Sequence, residues 1–271
     1  MESQDIFDKH NSTCLKGIAI IMLLIHHSFM EEGRYTGADI TFIIPENIWN
    51  YVALFFKICV CVFAFISTYG LSKKMMTMSS SGKSRAGFLK EYLSARLIRL
   101  LGAFIFVFLL VDLFALFYDP GRFANIYGTA FPENFVFFFI DMFGLAEFLG
   151  TPTFLTTYWF YSLAILIIFL VPVFYLMLEG IGSPYIFLGL VAIINITVEI
   201  PNTDFWRYIF CIAVGVVCAK ENVITKIVTA GNIRGGEQVP EAGKAFVRAC
   251  FAVRIDGLEG KRIEKYSLSC F

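Results

Sequence analysis

The sequence predicts an all-α fold, a polytopic helical bundle with about six to seven transmembrane helices set in a lipid bilayer. Three observations predict it. Of 271 residues, 58% are hydrophobic and only 16% charged, and the mean hydropathy is +0.71, an apolar excess that no soluble core absorbs. Apolar runs of bilayer-crossing length recur along the chain. Lys plus Arg balance Asp plus Glu at 22 each, yet the two signs are segregated by loop. No global charge therefore steers the chain towards nucleic acid or another acidic partner.

The N-terminus reads MESQDIFDKHNST, polar and acidic. A cleavable signal needs a basic start and a small-residue cleavage site, so the first helix is expected to be retained. Apolar spans follow at 15–30, 49–71, 97–118, 154–178, 184–200 and 205–219, near the roughly 17 to 25 residues a crossing helix needs. A further stretch, 134–150, is short and is interrupted by Asp141 and Glu147.

Loop charge sets the orientation, because Lys and Arg of short loops stay cytoplasmic. Lys73, Lys74, Lys83, Arg85, Lys90, Arg96 and Arg99 face a single acid, Glu91, between the second and third spans, which puts that loop inside. Glu31, Glu32, Asp39 and Glu46 against Arg34 place the first loop outside and the N-terminus in the cytoplasm. Counting 134–150 as a span would send Lys220, Lys226 and the tail outside. The expected arrangement is six spans plus an outer interfacial or re-entrant element packed over a cavity, since irregular backbone at membrane depth needs shielding. Residues 1–230 form the membrane domain. Residues 231–271 change composition and read either as a short cytoplasmic tail or as a truncated or frame-shifted end.

The seven cysteines show no Cys-x-x-Cys pair and no His at ligand spacing, so no metal site is expected and the cysteines serve as small apolar residues. The GKS triplet at 82–84 lacks a P-loop context: Thr77 stands where the first Gly belongs, and no strand precedes it. It reads as a flexible basic loop.

The first span, KGIAIIMLLIHHSF, carries the strongest signal. Ionisable groups at membrane depth are costly and are usually functional, the plainer reading being a polar cap at the headgroup boundary. Lys16 and His27 are eleven residues apart, three turns plus about 20° and about 16 Å along a helix, hence on one face. A cation at the inner mouth and an imidazole further along the same wall suit a path for an anionic cofactor. His26, about 100° around, faces another side. Asp112 lies sixteen residues beyond Arg96, about 24 Å up the third span and near the expected depth of His27. It is either a partner that orients His27 or a carboxylate in a hydrated pocket. Arg96 and Arg99 lie one turn apart and serve as topology anchors or as phosphate-binding forks.

Several segments in order resemble the membrane-bound acyltransferase family 3, multi-span enzymes that O-acylate surface polysaccharides and related glycans. Lys16, ten residues and His27 match the first-span pattern of Arg or Lys, ten residues, then His. VFAFISTYGLS resembles the FFISGY span, with Thr68 in place of Gly. EYLSARLIRLL resembles the basic entry to the third span, with Gly102 near where Pro is common. TTYWFYSLAILIIFLVPVFYL resembles the Trp-led span, with Ala164 and Ile165 where an acid or amide is frequent. The likeness covers roughly residues 10 to 225. Members generally run longer, with about ten spans.

The resemblance implies an O-acetyltransferase of a bacterial plasma membrane. It would hold no permanent cofactor, take acyl-CoA (most simply acetyl-CoA) from the cytoplasm, and acylate a hydroxyl of a cell-surface glycan or lipid-linked saccharide. His27 and Asp112 would be catalytic, and Lys16, Arg96 and Arg99 would bind the donor. The competing reading is a transporter or flippase for a lipid-linked sugar, which favours broken helices in corresponding halves and midplane charges in several spans. No such halves are visible. A nonenzymatic scaffold gives no reason for the Lys16 and His27 spacing.

Overall fold

The computed structural model describes residues 9–31, 35, 45–79, 84–198 and 206–227. The chain divides into a large unit, Phe7–Asn222, and a second that joins Met1–Ile6 to Val223–Phe271. Of the second, residues 223–227 are described and are helical. The tail at 231–271, residues 82 and 83 of the GKS triplet, and most of the first loop lie outside the described residues.

The large unit is helical, with no strand among the described residues. Its elements are α1 (Lys9–Phe29), α2 (Glu46–Phe55), α3 (Cys59–Ser79), α4 (Arg85–Tyr118), α5 (Arg122–Tyr127), α6 (Glu133–Met142), α7 (Ala146–Leu149), α8 (Trp159–Ile181), α9 (Pro184–Thr197) and α10 (Ile209–Lys220). Four passages are long and apolar enough to cross a bilayer: His10–Phe29, Glu46–Thr77, Arg85–Ala115 and Thr156–Ile181. The last two apolar segments of the sequence fold as shorter helices of 14 and 12 residues, about 21 and 18 Å long. The chain is an all-α integral membrane protein.

Local chemistry explains the boundaries. Ser84 caps α4, its hydroxyl accepting from the Gly87 N–H at 3.3 Å, and the helix stops at Asp119, whose φ/ψ Pro120 restricts. Gly182, at φ 71°, terminates α8 in the left-handed conformation. Ser183 then caps α9, with Pro184 in its first turn. The second span is interrupted: a turn of 3₁₀ helix at Phe56–Ile58 separates α2 from α3. The expected basic loop is largely helical, because α3 runs to Ser79 and α4 starts at Arg85. Arg96 and Arg99 therefore lie inside a 34-residue helix, with Arg85 and Lys90 on its extension.

Apolar α8 is the centre of the main core, burying Leu163, Ile167, Val171, Phe174 and Leu178 against α3, α9 and α10. Between membrane helices, close approach is the main source of packing energy, and small residues permit it. The contact of α3 with α10 shows this directly. A Cβ added at Gly215 would stand 2.9 Å from the Cβ of Thr68. Thr68, the departure from the family's glycine, is thus accommodated by a glycine on the opposite helix.

Helix ends pair on two sides. Lys73 of α3 donates to Asn222 beyond α10 at 2.5 Å, and Arg85 at the start of α4 reaches Glu179 at the end of α8 at 3.5 Å. These ends lie together. The C-terminal ends of α1 and α4 and the N-terminal ends of α2 and α8 lie at the other. The segment 134–150 belongs to that second end and folds as α6, a turn and α7, all too short to span.

Candidate functional site

Two clusters of buried polar groups occupy the α1 and α4 ends of the bundle. In the first, α1 docks on α2. His26 is 5% exposed and its Nδ1 lies 2.8 Å from the Ala53 carbonyl oxygen. A carbonyl only accepts, so Nδ1 is the donor of this bond. Ala53 stands just before the 3₁₀ turn, where the regular i→i−4 ladder gives way to shorter-range bonds. Phe29 packs on Trp49 and Tyr35, and the Tyr35 hydroxyl donates to Glu46 Oε1 at 2.7 Å. These contacts fix the end of α1.

His27 is half-buried, its ring 5.2 Å from that of His26 in an edge arrangement. Helical α1 keeps Lys16, which is exposed, on nearly the same face about 16 Å away. Spacing put His26 on another side of the helix. The structure makes that side the contact with α2, so the histidine passed over by the family spacing anchors the helix that carries the other.

The second cluster joins α4 to α5, α6 and the segment before α8. Asp141 is 1% exposed and accepts from the Tyr127 hydroxyl at 2.8 Å, the Thr153 hydroxyl at 2.9 Å and the Phe154 N–H at 2.6 Å. Burial pushes its carboxyl above the ordinary range, while the three donors pull against that. Gly144 lets the chain turn here at φ 68°, and a Cβ there would stand 2.4 Å from the Tyr161 ring. Ser162 donates to the Gly144 carbonyl at 2.7 Å. Only the two acids interrupting an apolar run signalled this element in the sequence. Their depth is the cue, since a carboxylate in such a run requires donors.

Asp112, 7% exposed, has no hydrogen-bond partner on either carboxylate oxygen. Its electrostatic neighbour is Asp141. The expected pairing with His27 is not made: Asp112 lines a pocket formed by α4, α5, α6 and Phe154, with no residue of α1 in its wall. Arg96 is half-buried and Arg99 exposed. Both lie on α4 in the half nearer Arg85, where a polyanion could be bound bidentately. Among the described residues no three metal-ligating side chains gather.

Four helices of spanning length, with His26, Asp112 and Asp141 buried towards one end, define a polytopic membrane protein. Residues 10–233 match the acyltransferase 3 family model, described as an acyltransferase domain. That match spans more than four-fifths of the chain, and the chain belongs to this family: it is a membrane acyltransferase. No curated protein and no solved structure matches it.

Proposed function

We propose that the protein moves an acyl group, most simply acetyl, from cytoplasmic acyl-CoA to a hydroxyl of a cell-surface or exported glycan. The observation that supports this best is the wall of α1, a continuous helix presenting Lys16 and His27 on one face with His27 fixed by its neighbour. Lys16, Arg96 and Arg99 bind the donor phosphates, for which guanidinium forks are well shaped. The thioester arm covers the ~16 Å to the imidazole along that face. His27 takes the proton of the acceptor hydroxyl as its oxygen attacks the thioester carbonyl. The C–S bond breaks, and the thiolate leaves with that proton. His26, held by Ala53, positions His27.

The experiment is transfer from labelled acetyl-CoA into surface glycan by membranes containing equal amounts of each variant. His27→Ala should lose on the order of 10² to 10⁴ in rate. His26→Ala should lose less per folded molecule, and Arg96→Ala with Arg99→Ala should raise the CoA concentration needed. Full activity in His27→Ala sinks the assignment of the base, and unchanged CoA affinity leaves the arginines as anchors of topology.

A further inference from the structure

The pocket beside Asp112 is not absorbed by the chemistry at α1. Its volume is about 280 Å³, just below the ~300 to 1,000 Å³ of small-molecule sites, which is room for one ring and not for an oligomer. Its walls are mostly apolar, and four phenylalanines, Phe123, Phe135, Phe138 and Phe154, contribute to them. Two polar groups enter this lining. Asp112 is more than nine-tenths buried with both oxygens unpartnered. Arg122, from the first turn of α5, lies over the Phe154 ring at 5.1 Å and has a buried Nε without a partner. Leaving such groups unsatisfied costs about 1 to 3 kcal/mol each, more where they are charged, so a ligand that satisfies both is favoured in this pocket.

The chemistry of that ligand follows from the walls. An anion would meet Asp112, with Asp141 behind it, and a cation would meet Arg122. A purely apolar chain would leave both polar groups unsatisfied. A neutral polyhydroxylated ring meets all three conditions: one hydroxyl donates to Asp112, another oxygen accepts from Arg122, and the C–H face lies on the phenyl rings. The position fits as well, because Asp112 and His27 lie at the same end of the bundle by the direction of α1 and α4. We infer that this pocket is a subsite for one neutral sugar ring of the acceptor. This rests on the glycan-acceptor reading above.

The test separates binding from transfer. The full chain in lipid nanodiscs is examined by saturation-transfer NMR with the methyl glycosides of glucose, galactose and N-acetylglucosamine. Methoxycyclohexane and tetramethylammonium serve as hydroxyl-free and cationic probes. At least one glycoside should show saturation on its ring C–H protons, and Asp112→Asn should weaken it about tenfold or more, as loss of a hydrogen bond to a charged group does. Arg122→Gln should act in the same direction, which keeps the test decisive if one variant does not fold. Binding without transfer supports the pocket while counting against the glycan-acceptor reading. Transfer whose acceptor dependence is unaltered in both variants overturns the pocket and leaves that reading intact. No glycoside binding to the parent protein, equal binding in both variants, or displacement by methoxycyclohexane or tetramethylammonium also overturns it.

Discussion

The α1–α2 contact and the α4–α6 cluster place buried polar groups at the same end of one bundle, and they treat them differently. At α1, His26 is tied to a backbone carbonyl 2.8 Å away, and its adjacent histidine is left half-buried. At α4–α6, Asp141 takes three donors, whereas Asp112 takes none. Buried polar atoms that hold a fold together are satisfied within it, because little else compensates their loss of water. In both regions a residue satisfied within the fold stands beside a second titratable one, His26 beside His27 and Asp141 beside Asp112.

The sharpest way to break that comparison is Asp141→Leu. It strands the Tyr127 hydroxyl and the Phe154 N–H, each worth about 1 to 3 kcal/mol when buried unpaired, and leaves the Thr153 hydroxyl only the Leu155 carbonyl at 3.2 Å. The expected loss is about 3 kcal/mol or more, seen as a large drop in melting temperature in nanodiscs, and an unchanged melting temperature would show the network to be incidental. His26→Ala should come next. It removes one hydrogen bond and leaves a cavity at α1, for a loss of about 1 to 3 kcal/mol. Melting measured beside the activity of the surviving protein shows whether His26 acts through the fold. Asp112→Leu should have the smallest effect, neutral or stabilising, since it removes a buried carboxylate that the fold does not satisfy. A destabilisation as large as that of Asp141→Leu would mean that Asp112 is structural and would erase the contrast.

The sequence-based expectations stood best where one segment decided the matter. The apolar runs marked the four long helices, Trp159 begins α8, and the two acids in 134–150 marked an element that does not span. Boundaries were less legible. A basic stretch reads as loop from composition, yet α3 and α4 run into it because Ser84 supplies a cap and no proline intervenes. The break at Phe56–Ile58 carries neither Gly nor Pro to announce it.

For the site, spacing along α1 was sufficient to put Lys16 and His27 on one wall, because a continuous helix has a known rise and twist. Depth alone placed Asp112 and His27 at the same end of the bundle. Depth does not say which helices are neighbours. Packing decided that α1 lies on α2 and α3 while α4 turns Asp112 towards α5 and α6. The partners Ala53, Tyr127, Thr153 and Phe154 are likewise products of tertiary structure, since all four contacts use backbone groups or hydroxyls that every sequence offers in abundance. Composition and periodicity determine that this chain crosses a membrane as helices and which residues share a helix face. The contacts between helices, which rest on shape and on small residues such as Gly215 opposite Thr68, decide which of those faces meet.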